Sequence, residues 1–577
     1  MSWLRNIRVV VGLDFGTTYS GFTYCHVENS KDIRTNDKWP GEVNLKTNTV
    51  LQYDSKYRNV LAWGNAALSK RPNQRNRNET KPVELFKLYL GKLKQELRPR
   101  LPNELGSDGY KKAITDYLRE LGVKIKEMVE KWEGVDFTEN VLFVLTVPAE
   151  YSEIDQDIMR KCAHQANLIK DKDSSKLQFT TEPEAAAIYC MESKLKEYDL
   201  LKVGTTFMIV DCGGGTVDLT TRKLNGIEPL QLGEVTERIG DFCGSTFIDR
   251  LFINFLREKL GTSAIDLLIE HHYGQLQYMV QEFCRRVKEP FTGDNVVFCY
   301  DLDIEENAPV LLQYVSSEVR EIMEEDEWLI EITYHDIKYW FDHVIDRIIN
   351  MIHIQLSNSL NNGETCSVMF LVGGFSESKY LQKRIKQEFQ KEENEENKIK
   401  IIPPNQPIAA IVRGAAMYGL SLKNSSNAHR MDKLKRSVIR SRTLKFTYGI
   451  KILGKWKSHL HPLSRRVFDD KIHLFETFVK RGVEVEVDKE FPKSGYKPLS
   501  SSQKALKFEL YKTTKHNATY HDEDGMELVG TLRILLPSDF NHSVTFGFSF
   551  GQMEITAFAK NELNGQNFHT KFDVNEP

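Results

Sequence analysis

No window of this chain approaches the roughly 18 uninterrupted apolar residues that a membrane-crossing helix needs, so a helical span is excluded. None of the eight cysteines, at 25, 162, 190, 212, 243, 284, 299 and 366, sits near enough to another for a CxxC pair. That scatter speaks against a zinc ribbon or a secreted disulfide framework and suits a reducing compartment. Charge of one sign is not in excess: 78 Lys and Arg face 81 Asp and Glu, a formal net charge of −3. Near-neutrality supplies no global attraction for nucleic acid or an anionic membrane, and neither is expected as a partner. The opening MSWLRNIRVVVGLDFG offers too short an apolar stretch for a signal peptide and no small-residue cleavage site, so the expected location is cytoplasmic.

What is present points to a layered α/β protein. At 577 residues the chain is too long for one core, and roughly three or four compact units are expected. Three continuous apolar runs end in glycine turns: Ile7 to Val11 before GLDFGTT, Phe207 to Val210 before DCGGGT, and Val368 to Val372 before GGFS. Unbroken apolar runs imply strands buried on both faces. Helix-period stretches lie between them, as in Ile154, Ile158, Cys162, Ala163 and Ala166, or Tyr380, Leu381, Ile385 and Phe389. Pro183 with Glu184 in EPEAAAIYCM marks a helix start. Beyond residue 424 the composition shifts. Arg430 to Arg442 holds six basic residues against one Asp and reads as a solvated linker, and Lys391 to Asn397 reads as an exposed loop. Alternation at Val483, Val485 and Val487, and again over Val544 to Phe558, predicts a β-rich C-terminal domain.

The first two glycine turns share one plan: strand, Asp, one residue, Gly, then a short reach to Thr. Gly213, Gly214 and Gly215 are able to take left-handed or strained angles and let main-chain N–H groups converge on phosphate oxygens. Thr17, Thr18 and Thr216 add hydroxyl donors. Asp14 and Asp211, at the strand ends, would face a shared cleft where Mg²⁺ balances phosphate charge through water. One such turn is weak, since glycine turns also make hairpins; two with matching Asp and Thr, plus Gly373-Gly374, are not.

Six segments in this order, GLDFGTTYSG, TVPAEYS, TEPEAAA, VDCGGGTVDL, VGGFSES and RGAAMYG, resemble the actin-like ATPases. They look most like the seventy-kilodalton heat-shock chaperones and especially their divergent twelve-type branch, over about residues 6–423. The resemblance implies a duplicated ribonuclease-H-like fold within 1–424, with lobe I about 1–200 plus 403–424 and lobe II about 203–402. A basic linker, 425–442, and a smaller β-rich, sandwich-like domain, 443–577, follow. ATP or ADP with Mg²⁺ would lie between the lobes. By motif, Asp14, Gly16, Thr17, Thr18 and Tyr19 would form the first phosphate loop, and Gly213, Gly214, Gly215 and Thr216 the second. Asp211 would hold Mg²⁺-bound water, with Asp218 on the same loop. Glu182 would stand beside the attacking water, Pro148 in an interlobe relay, and Lys87 at the γ-phosphate. Gly373, Gly374 and Ser376 would flank adenosine, with Gly244, Ser245 and Lys288 as further nucleotide contacts.

The sequence also departs from that pattern. CRRVKEPF (Cys284 to Phe291) keeps only Lys288 of the family's adenine clamp, Ile408 replaces an acidic residue, and the linker lacks the acidic-and-leucine stretch. MELVGTLRILLP with Val544 to Gln566 resembles later strands of a peptide-binding sandwich, and no helical lid is expected after it. The expectation is an ATP-binding, weakly ATP-hydrolysing chaperone-like protein whose partners are exposed peptide segments or co-chaperones. A nucleotide-gated binding module with negligible turnover is the alternative, and a small-molecule kinase a third. Cys212 reads as a filler, His271 and His272 as surface residues, and the aromatics at 328–341 as core.

Overall fold

The computed structural model describes residues 3–571 apart from 71, 73–79, 92, 149, 192–201, 228–229, 391–398, 426–440, 487–488, 499–502, 504, 536–542, 551–554, 563–564 and 566. The expected loop at 391–397 and nearly all of the basic linker lie outside the described residues. The chain forms two compact units, one of 1–151, 158–221 and 238–433, the other of 152–157, 222–237 and 434–577.

Apolar side chains on both faces bury β1 (Val9–Phe15) completely. It pairs antiparallel with β2 (Tyr19–His26) and parallel with β3 (Val141–Val147), which pairs parallel with β4 (Leu177–Thr181). The order is β4-β3-β1-β2. Helix α1 (Glu182–Cys190) leaves the end of β4 with Thr181 as its cap, and Thr181 and Glu184 exchange the reciprocal bonds of a capping box.

The second lobe repeats the theme. β5 (Thr206–Cys212) is wholly buried between β6 (Val217–Ile227) and β8 (Val368–Val372), β7 (Ile239–Asp241) pairs with β6, and β9 (Lys400–Ile402) lies beyond β8. Around this sheet pack α2 (Thr246–Leu260), α3 (Tyr273–Phe283), α4 (Tyr334–Asn361) and α5 (Lys379–Phe389). Their core centres on Phe252 stacked over Phe283 at 4.2 Å, with the Trp340 edge against both rings. Trp328, Trp340 and Phe341 are core, as the sequence suggests; Tyr339 is not, being 65% exposed.

Helix α6 (Pro407–Ser425) lies against the first sheet, and three glycines permit it. A Cβ on Gly414 would stand 1.7 Å from the Ala185 carbonyl oxygen, one on Gly419 2.5 Å from Val10, and one on Gly12 2.5 Å from the Val412 carbonyl oxygen. That is the packing reason for small residues in RGAAMYG.

In the second unit, β10 (Thr447–Lys455), β11 (Lys471–Val479), β13 (Ala505–Thr513) and β14 (Met526–Leu535) form one antiparallel sheet, in the order β11-β10-β13-β14. The other sheet runs β12 (Glu490–Tyr496), β15 (Val544–Phe550), β16 (Ile555–Asn561), β17 (Asn567–Lys571). Alternate residues of both supply one core, in which Phe508 of β13 stacks on Phe546 of β15 at 4.3 Å. The alternation read at Val483 to Val487 survives only in part: Val485 is buried in the short strand Glu484–Glu486, Val483 is 44% exposed, and Val487 lies outside the described residues.

Candidate functional site: a cleft between two glycine turns

Parallel pairing sets Asp14, near the end of β1, opposite Thr146, and antiparallel pairing sets it opposite Gly21. Both neighbours serve it. The Thr146 hydroxyl donates to Asp14 Oδ1 at 3.0 Å, and Lys46 Nζ donates to Oδ2 at 2.5 Å. Both partners of the ion pair are buried, Asp14 at 2% exposed and Lys46 at 5%. Gly21 makes room for the lysine stem, since a Cβ there would stand 2.9 Å from Lys46 Cγ. The chain then turns through Gly16, whose N–H donates to Ser20 Oγ at 3.2 Å, and Thr17 and Thr18 lead into Tyr19 of β2.

β5 ends in the same way with Asp211 and Cys212. The Gly213 N–H closes a turn onto the Thr216 carbonyl at 2.9 Å. Behind it, the N–H groups of Gly244, Ser245 and Thr246 donate to the carbonyls of Gly215, Gly213 and Gly214. Gly244 and Ser245 thus brace the second turn from behind. In front, a Cβ on Gly214 would stand 2.2 Å from Thr18 Oγ1 and one on Gly215 2.7 Å from Thr17 Oγ1. The two turns face each other in close contact, and glycine is required for that approach. Of the left-handed or strained angles open to Gly213, Gly214 and Gly215, the left-handed ones are not used; in this region Gly373 takes one, at φ +85°. Among the described residues, the N–H groups of Thr17, Thr18, Gly214, Gly215 and Thr216 donate to no protein acceptor, a cluster of donors suited to an anion.

Acidic groups from both lobes gather at these turns. Glu182, first residue of α1, accepts from Lys87 Nζ at 2.8 Å, and both are buried. Lys87 rides a 3₁₀ turn, Phe86–Tyr89, entered through Leu85 in the left-handed region. Burial raises the Glu182 carboxyl, the Lys87 ammonium opposes that rise, and Asp14 adds to it. Asp211 is raised well above the usual carboxylate range by burial, then by Glu182, Asp218 and Asp14, with Lys46 opposing. Asp14 and Asp211 therefore share one region, together with Glu182 and Asp218. Asp211 Oδ1 is buried without a hydrogen-bond partner. Gly373 lies against it, for a Cβ there would stand 2.4 Å from that oxygen.

An unsatisfied buried carboxylate oxygen amid other carboxylates fits a hard cation. No three carboxylate, His or Cys side chains among the described residues form a metal cage, so such a cation would reach the protein largely through its own waters. Asp14 differs from Asp211 in having both oxygens engaged already. Cys212 is buried, and burial and Asp211 push its thiol well up, so it is a filler and not a nucleophile.

The remaining expected residues are dispersed. Gly374 lies beside Ile408 Cδ1, and the fully buried Ser376 hydroxyl donates to the Val372 carbonyl at 2.6 Å, holding the third glycine turn together. Lys288 ends a π-helical turn, Cys284–Lys288, and donates to Asp249 at 2.6 Å; its charge reaches Tyr19. The lobes are further joined where Tyr273 donates to Glu84 at 2.6 Å and the Ser69 N–H to Gln277 at 2.8 Å. Lys46, Thr146, Glu84 and Tyr273 carried no sequence mark. Lys46 stands in LKT (Leu45 to Thr47), away from any glycine motif, although its apolar and threonine neighbours hint at a buried edge.

A mixed α/β fold with two large sheets, each sending an acidic strand end into a glycine turn at a common cleft, is consistent with the two-lobed actin-like class. Comparison with known proteins adds a relationship. The chain is 25% identical to heat shock 70 kDa protein 12A of Mus musculus, across 96% of this chain and 90% of that protein. It is 23% identical to heat shock 70 kDa protein 12B of Homo sapiens, across 96% and 87%. With the chaperone protein DnaK of Thermosipho melanesiensis it shares 23% across 83% and 69%. No family model matches the chain. It is a relative of the seventy-kilodalton heat-shock proteins, on the side of their twelve-type branch.

Proposed function

We propose that the first unit is an ATP-binding, weakly ATP-hydrolysing domain of a chaperone-like cytoplasmic protein. The observation that carries this reading is the pair of facing turns, whose five unpartnered N–H groups adjoin a buried set of two lysines and four carboxylates. Such a site suits a polyphosphate: main-chain donors and the hydroxyls of Thr17, Thr18 and Thr216 hold oxygens, and lysines offset charge. A bound Mg²⁺ would supply Lewis-acid neutralisation of the phosphates, with Asp211 and Asp218 holding its waters. Glu182 would orient the attacking water as a hydrogen-bond acceptor, and Lys87 holds that carboxylate in place. Adenosine would lie toward Gly373, Gly374 and Lys288. With the lysine pinned to Asp249, recognition of the base would be loose.

The second unit would bind exposed peptide segments. Its two antiparallel sheets with a shared core support that reading, as do the chaperone names of the chain's relatives. Nucleotide state in the cleft would influence that binding. The experiment is phosphate release from ATP by the parent chain, with Thr216→Val and Asp211→Asn alongside. Slow turnover lost in both variants supports the reading, and equal turnover in all three rejects it. A nucleotide-gated module without turnover is the second reading, favoured by the Lys288–Asp249 pairing. Nucleotide would then raise the melting temperature while phosphate release stayed at background.

A further inference from the structure

Lys46 is the charged residue of the cleft that no motif accounts for. A buried ammonium has three N–H donors, and among the described residues its one hydrogen-bond partner is Asp14 Oδ2. Two donors are left over on a side chain 5% exposed. Its charge is felt on both sides of the cleft, by Glu182 of the first lobe and by Asp211 and Glu377 of the second. Its position is built and not incidental: the stem lies where Gly21 lacks a side chain, directly across the sheet from Asp14.

Resting on the nucleotide reading above, we infer that Lys46 is a phosphate-binding lysine of this cleft, in addition to the Lys87 that the sequence resemblance places at the γ-phosphate. Its two remaining N–H groups donate to phosphate oxygens while Asp14 holds the ammonium in place. The same arrangement closes Asp14 to direct metal ligation, leaving the cation to Asp211 in the second lobe. Ammonium donors to phosphate oxygens form charge-assisted hydrogen bonds, which are shorter and stronger than neutral ones. Removing one contact of this kind weakens binding by roughly 10- to 100-fold.

The test must separate phosphate contact from mere neutralisation of Asp14. The double substitution Asp14→Asn with Lys46→Met removes one charge of each sign, so the net field of the cleft is preserved while the ammonium donors are lost. ATP, ADP and adenosine are titrated calorimetrically into the parent and the double variant in Mg²⁺. The expected result is adenosine affinity within about twofold of the parent, with ADP and ATP weakened at least about 10-fold. ATP and ADP affinities equal to the parent's would overturn the inference and leave the nucleotide reading standing. A parent chain that binds none of the three overturns both. Should the double variant fail to fold, Gly21→Ala provides the second arm, since it crowds the lysine stem and keeps both charges. It is expected to weaken ADP and ATP but not adenosine, and unchanged ADP and ATP binding there would equally reject the assignment.

Discussion

Asp14 and Asp211 end equivalent buried strands in the two lobes, yet their surroundings are opposite. Asp14 has a ligand for each oxygen, Lys46 and Thr146. Asp211 has a partnerless Oδ1, and burial together with three nearby carboxylates raises its carboxyl well above the usual range. One acid is part of the framework; the other is strained by its neighbours and relieved when positive charge arrives. Local destabilisation of this kind concentrates at functional sites, and under the proposed reading the cation belongs to the second lobe.

Substitution should break the contrast with opposite signs. Asp14→Asn leaves the Lys46 ammonium buried without its counter-charge, and a loss of about 3 kcal/mol is expected in the urea unfolding of the first unit. Next in size, Glu182→Gln keeps the volume and the contact to Lys87 but loses the acceptor for water. ATP hydrolysis should fall about 100-fold with nucleotide affinity nearly unchanged.

Asp211→Asn removes repulsion and should raise the melting temperature of the nucleotide-free chain by about 2–4 °C, while abolishing the extra gain that Mg²⁺ gives with ADP. Its pH dependence has a definite sign. The folded carboxyl is raised above its unfolded value, so its contribution to stability is present below the ordinary carboxylate range and is lost as pH rises through the folded value. Thermal melts at successive pH values should show the parent losing stability across that window, relative to a flatter Asp211→Asn. The smallest effect is at the rim: Tyr273→Phe deletes one interlobe hydrogen bond, costing about 1 kcal/mol. Release of a fluorescent ADP analogue should quicken severalfold in stopped flow.

The two sides of the cleft were unequally legible in the sequence. Asp14 and Asp211 stand out because apolar runs stop at glycine after them, and the same plan of strand, Asp, Gly and Thr occurs twice. The role of Gly213 to Gly215 was read only in part. The sequence shows that small residues are needed, but not that the need comes from Thr17 and Thr18 pressing from the other lobe. Lys46 carries no mark in the sequence because its partner, Asp14, lies on a strand 32 residues away, and one lysine in a loop has no periodicity. Gly244, Ser245 and Ser376 sit near the ligand side in sequence terms, yet their polar groups hold the turns themselves. Motifs record chemistry carried by backbone conformation; contacts made across a fold leave no such local trace. In the C-terminal unit, alternation revealed the inward faces of β15 and β16 but not the pairing order of the two sheets.

The most direct measurement is calorimetric titration of ADP, with Mg²⁺ present, into the parent chain and into Gly214→Ala. The added methyl forces the facing turns apart at Thr18 and touches no charged group. One equivalent of ADP bound by the parent, and binding weakened severely in the variant, is the expected result. ADP that binds both proteins equally, or neither, would contradict a phosphate site formed where the two turns meet.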